Sequence, residues 1–142
     1  MQEQNFKNHG RMVPGFHYLC GLLILALLIG SIVNLIMTSH DNLYSASLIL
    51  LIAVIIFILS YYVRAFALKA QDRAIKAEEN FRHYLLTGKP MSFDLKMRQI
   101  IGLRFASDDE FPALAEKAVA DKMDEKEIKQ SIVSWKADNY RV

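Results

Sequence analysis

The side chains best equipped for chemistry in this sequence are four histidines, one cysteine, a short acidic cluster and two arginines. The histidines are His9, His17, His40 and His83. His17 and His40 fall at opposite ends of one apolar run, about 35 Å apart at the rise of a helix. His83 belongs to a different stretch, so the histidines of one copy assemble no metal or haem site. Cys20 is the single cysteine; it can form no internal bridge, offers no Cys/His zinc spacing, and reads as a small apolar filler. Asp108, Asp109 and Glu110 could attract a cation, but they lack the spacing of a calcium loop and suit the start of a helix. No phosphate loop, dinucleotide fingerprint, H-E-x-x-H or G-x-S-x-G is present, and Thr87-Gly88-Lys89 reads as a helix end. Arg98 and Arg104 flank an apolar segment. There they can pair with Asp108, Glu110 or the C-terminal carboxylate, or form a patch for a partner. The inventory yields no catalytic residue, cofactor, metal ligand or small-molecule substrate, and the expectation is a protein that is not an enzyme.

What positions these groups is set by an uneven distribution of charge. The chain has 142 residues and is 53% hydrophobic and 23% charged. Between Arg11 and Arg64, Asp41 is the one charged side chain. This excludes a plain water-soluble globule, a disordered chain and a disulfide scaffold. Residues 16–37 and 43–63 are uncharged, and about 20 helical residues cross a hydrocarbon core of about 30 Å. Backbone groups in lipid must satisfy one another, which predicts helices, joined by a tight turn at 38–42 with Asp41 or Asn42 capping the second. The first run is too long for a cleaved signal and is followed at once by the second. The turn carries no Lys or Arg, whereas Lys7, Arg11, Arg64, Lys69, Arg73 and Lys76 flank the spans. The expectation is therefore a multi-pass protein with both termini cytoplasmic. Gly21, Ala26, Gly30, Asn34, Ser47, Ala53 and Ser60 are the expected packing positions, with Asn34 opposite Ser47 and Gly21 opposite Ser60. Small residues let membrane helices approach, and polar side chains bond across. Asn34 reads as such glue rather than as a polar path, because the middle of neither span contains an Asp, Glu, Lys, Arg or His.

The second helix is expected to continue past the membrane as a cytoplasmic stalk over 64–87. Strong helix formers dominate there, and Gly88 followed by Pro90 supplies the stop. A seven-residue repeat passes through Ala67, Ala74 and Phe81, with Ala70 and Ala77 in the companion stripe. Such a seam serves either a second copy or the chain's own C-terminal helices. Residues 91–142 read as a three-helix head. Ser92 is the expected first cap, with Phe93, Met97, Ile101 and Phe105 on one face. Ser107 or Asp109 would cap the second helix ahead of Pro112. Asp124 with Glu127 would open the third, carrying Ile128, Ile132 and Trp135. The fold expected is thus all-α: a two-helix transmembrane hairpin over 16–63 after an N-terminal segment 1–15, a stalk, and a small head. Residues 64–104 carry net charge +5 and residues 105–142 carry −3. Such a head is a poor phosphate binder, which argues against a nucleic-acid partner.

The block Arg98-Gln99-Ile100-Ile101-Gly102-Leu103-Arg104-Phe105-Ala106-Ser107, its continuation through Leu114, and the ending at 126–130 and 135–142 resemble small bacterial two-span membrane proteins grouped as a domain of unknown function. The resemblance implies a bacterial inner-membrane location and carries no activity, ligand or catalytic residue. The function expected is a non-enzymatic scaffold or interaction module that contacts the bilayer and itself or another membrane protein. An accessory subunit of a larger membrane complex, such as a transporter, is the alternative, and a membrane-tethered nucleic-acid binder ranks below both.

Overall fold

The computed structural model describes residues 4–8, 10 and 12–138. His9, Arg11 and the C-terminal carboxylate lie outside them. The described chain is all-α and divides into two compact units. One is Arg11–Ala67; the other comprises Leu68 onward, together with the described residues of the first ten. The long helix α2 contributes to both.

In the first unit a π-helical turn, Gly15–Cys20, leads into α1, Gly21–Met37. Thr38 turns extended and ends that helix. A 3-10 turn, His40–Asn42, then opens α2, Leu43–Thr87. Asp41 and Asn42 lie inside this turn, and the extended residue that precedes it is Ser39. The Asn42 side-chain amide donates to the Ser39 hydroxyl instead, at 3.3 Å. Two helices, over Gly15–Met37 and His40–Thr87, are long and apolar enough to cross a membrane. Only 6% and 11% of their most apolar stretches are buried, unlike the core helix of a water-soluble protein. The buried residues here are Ser31, Ala46 and Ala53, all small, as close helix approach requires.

In the second unit α2 ends where Gly88 takes φ +72° and donates its N–H to the Tyr84 carbonyl at 2.8 Å. This left-handed cap is the stop that the sequence predicted. Three short helices follow: α3, Met97–Leu103; α4, Phe111–Ala120; and α5, Glu125–Ser131. Ser92 does not cap α3. Its hydroxyl accepts from the Asp94 N–H at 3.2 Å and its carbonyl from the Leu95 N–H, closing a turn. That turn buries Met91 and Leu95 and leaves Phe93 98% exposed, off the core face expected of it. Phe105 is buried as expected, but in the turn beyond α3. Pro112 sits in the first turn of α4, where a missing N–H costs little. Glu110, rather than Ser107 or Asp109, holds the cap position of that helix. The Asp124–Glu127 capping box forms as its spacing predicted, at 2.8 and 2.7 Å.

Trp135 is not on α5. Ile132 turns extended after Ser131, and Trp135 pairs with Ala106 in a single antiparallel bridge. The cause is Glu110, whose carboxylate accepts the Val133 and Ser134 N–H groups at 3.1 and 3.0 Å and draws the chain away from a helical path. The core gathers Ile75 of α2 with Ile100, Leu103, Phe111, Ala118 and Ile128. Gly102 lets α3 and α5 touch: a Cβ there would lie 3.1 Å from Ile128 Cγ2 and 3.2 Å from the Glu125 carbonyl.

Candidate interaction surface

The part of α2 in the second unit has two unlike sides. One side holds the small helices. Ile75, Glu79 and His83 are buried there, and Arg82 reaches outward among them. Its guanidinium donates to Glu79 at 3.0 Å, to the Asp108 carboxylate at 2.7 Å and to the Ala106 carbonyl at 2.7 Å. The same group lies 4.4 Å from the centre of the Phe111 ring. A planar, permanently charged fork with five donors suits such a junction. The Arg82 hydrogen bond, and then its charge, lower the pKa of the Asp108 carboxyl. His83 Nδ1 lies 2.8 Å from the Lys89 carbonyl, and the His83 ring meets Phe111 edge-on. Asn80 accepts the Met91 N–H at 2.9 Å.

Further into the head, the buried Gln99 satisfies three backbone groups. Its oxygen accepts from the Lys96 N–H at 2.8 Å; its nitrogen donates to the Ala118 and Met123 carbonyls at 3.0 and 2.9 Å. Phe105 stacks on Trp135 at 4.8 Å between ring centres, with the Arg104 guanidinium 4.7 Å from its ring. These are structural arrangements: aromatic, charged and amide groups used to fasten short segments. No group of three or more potential metal ligands occurs among the described residues.

The other side of the helix is uncovered. Ala70, Ala74 and Ala77 are exposed, as are Phe81, Tyr84 and Leu85. At the edge of this face an open groove of about 320 Å³ is lined by Arg73, Asn80, Met91, Phe93 and Leu95, among others.

The match to known proteins covers the whole chain: residues 1–142 fit the model of a family of unknown function, DUF6526. The chain belongs to that family. No curated protein and no solved structure matches it. Membership therefore assigns no chemistry to any position.

The sequence-predicted positions distribute as follows. Gly21, Ala26, Gly30 and Asn34 are exposed, and an added Cβ at Gly21 or Gly30 would meet nothing within 4 Å. Ser47 and Ser60 donate to the Tyr44 and Phe57 carbonyls of their own helix, at 2.7 Å each. The structure thus forms no Asn34–Ser47 hydrogen bond: the serine hydroxyl is taken by a carbonyl of the preceding turn of its own helix. Ala53 is fully buried. Ala67 is half-buried, and the rest of the expected seam is exposed. Arg98 pairs with Glu125 at 3.3 Å and Arg104 with Asp138 at 3.1 Å. Neither reaches the acidic cluster, where Arg82 has taken Asp108 and backbone N–H groups have taken Glu110. Arg82, Gln99 and His83 carry more of the head than the sequence disclosed. Gln99 lies within the block that carries the family resemblance, which is the one signal that could have drawn attention to it.

Proposed function

We propose that this protein is a non-enzymatic, membrane-anchored helical interaction module. The hairpin of the first unit lies in the bilayer, and the helical second unit is presented at the cytoplasmic face to bind protein. The observation that carries this reading is the exposure of the two apolar runs. Leu22, Ile29, Ile36, Leu51, Phe57 and Tyr61 are each more than half exposed, in helices long enough to span. Such surface is costly in water, at about 25 cal/mol per Å², and is at home in hydrocarbon. The Lys and Arg residues flanking the runs, against none in the turn, support the orientation. The flat, unpartnered side of α2 supports an interaction role. Expression with a reporter after residue 142, followed by an alkaline wash of the membranes, tests the proposal. The chain should stay in the pellet and the reporter should read cytoplasmic. Release of a compact chain into the wash would overturn the anchoring.

A further inference from the structure

We infer that the uncovered side of α2 in the second unit pairs, in parallel, with the same side of a second copy. This deepens the interaction reading above by naming the partner and the register, and it rests on that reading for the shared anchoring. The seam is Ala70, Ala74, Ala77, Phe81 and Tyr84. Their spacing alternates four and three, which places them within one narrow stripe of a helix. The head covers the opposite side, through Ile75, Glu79 and His83, so the stripe is left free by the fold itself.

Charge selects the occupant. In a parallel pair with this stripe at the centre, the residue before one core position faces the residue five further on in the other copy. Arg73 precedes Ala74 on one flank, and Glu78 follows Ala77 on the other. The two are five apart, so Arg73 of each copy faces Glu78 of the other, twice per pair. Within one chain neither side chain makes an ion pair among the described residues. The alanines allow a close approach in the first two turns. Phe81 and Tyr84, 62% and 53% exposed, supply the apolar surface in the last two. An antiparallel pair would not bring Arg73 to Glu78 in this register. Two copies leaving one bilayer on the same side are also aligned in parallel, and confinement in the bilayer raises their effective concentration.

The test uses the full chain with Cys20→Ala, which removes its single thiol, and one new cysteine at a time. Ala70→Cys, Ala74→Cys and Ala77→Cys should each oxidise to a dimer. Lys69→Cys and Lys76→Cys, on a flank turned away from the seam, should yield about five-fold less or lower, because a disulfide needs Cα atoms within about 7 Å. Arg73→Glu in the Ala77→Cys chain should lower dimer yield about two- to ten-fold, and adding Glu78→Arg should restore it. A flat profile across all five positions overturns the seam. So does crosslinking of Ala70→Cys to Tyr84→Cys, which reports an antiparallel pair, or capture of a different protein at the alanines. The scan is run in native membranes and in detergent. A flat profile in a membrane-embedded chain refutes the pairing alone, whereas a chain absent from the membrane fraction refutes the anchoring, with the detergent profile still reading the seam.

Discussion

Gln99 offers the sharpest test of how the head is held. Gln99→Ala removes an amide that is 7% exposed and makes three hydrogen bonds to backbone groups, of Lys96, Ala118 and Met123. Each bond contributes about 1 kcal/mol, and each buried group left without a partner costs about 1–3 kcal/mol. The expected loss is about 3 kcal/mol. At about 4–8 °C per kcal/mol for a unit of this size, the midpoint of unfolding should fall by about 12–24 °C. The assay is the emission of Trp135 in the full chain in detergent. It is the single tryptophan and stacks on Phe105 within the head, so it reports that unit and not the hairpin. Gln99→Glu sharpens the logic. A carboxylate in place of the amide nitrogen would face two carbonyl oxygens, so burial and repulsion raise its pKa. The variant should be least stable at neutral pH and recover as the pH falls through the raised value toward about 4.3, the ordinary value for a glutamate. A Gln99→Ala chain within about 0.5 kcal/mol of the parent, inside the range of an ordinary surface change, would refute the claim that this amide fastens α3 to the end of α4.

Three further outcomes follow from the same geometry. Gly102→Ala sets a methyl 3.1 Å from Ile128 Cγ2 and 3.2 Å from a backbone oxygen, and should destabilise the head by about 1–3 kcal/mol; Ile128→Val in the same chain should recover part of this in urea melts read by Trp135. Lys122 has φ 51° after the end of α4, so Lys122→Gly should raise stability by about 0.5–1 kcal/mol, and a loss instead would show that the lysine side chain contributes to the fold. Arg82 lowers the Asp108 pKa, so this pair stabilises the head above the carboxyl's ordinary pKa of about 3.9, and the contribution disappears as the pH falls through the lowered value; Asp108→Asn should flatten the acid limb of a pH–stability profile, and an unchanged limb would remove Asp108 from the account.

The sequence discloses features whose cause is local. Gly88 stops α2 because a left-handed residue is needed at that point, and Asp124 with Glu127 caps α5 because the box is closed by four consecutive residues. The two apolar runs are legible because an uncharged stretch of that length has few other uses. What stays hidden depends on residues distant in the chain. Ser92 looks like a cap, but its hydroxyl and carbonyl take the Asp94 and Leu95 N–H groups and close a turn instead. Trp135 looks helical until Glu110, more than twenty residues earlier, takes the N–H groups of Val133 and Ser134. Arg82 looks like one more charge on a solvated rod. Its role appears only when the turn after α3 delivers the Ala106 carbonyl and Asp108 to the same place. The heptad pattern identified the stripe, but could not say that the head would settle on the opposite side.

The two units are therefore stabilised in different ways. The second has a core of large side chains, with Phe105, Phe111, Ile100, Leu103 and Ile128 fully buried. Burial of each such side chain contributes about 1.5–3 kcal/mol, and the Arg82 and Gln99 networks add to it. The first unit buries Ser31, Ala46 and Ala53, which together remove little apolar surface from water. Its helices satisfy their own backbone groups, and its serines turn their hydroxyls inward to carbonyls of the same helix. Such an arrangement would also suit surroundings that offer no hydrogen bonds. A hairpin built this way gains almost nothing from folding in water, because its leucines and isoleucines stay exposed. The unit that lacks a core is the one whose apolar surface stays exposed, and the unit that has one is held by its own large side chains.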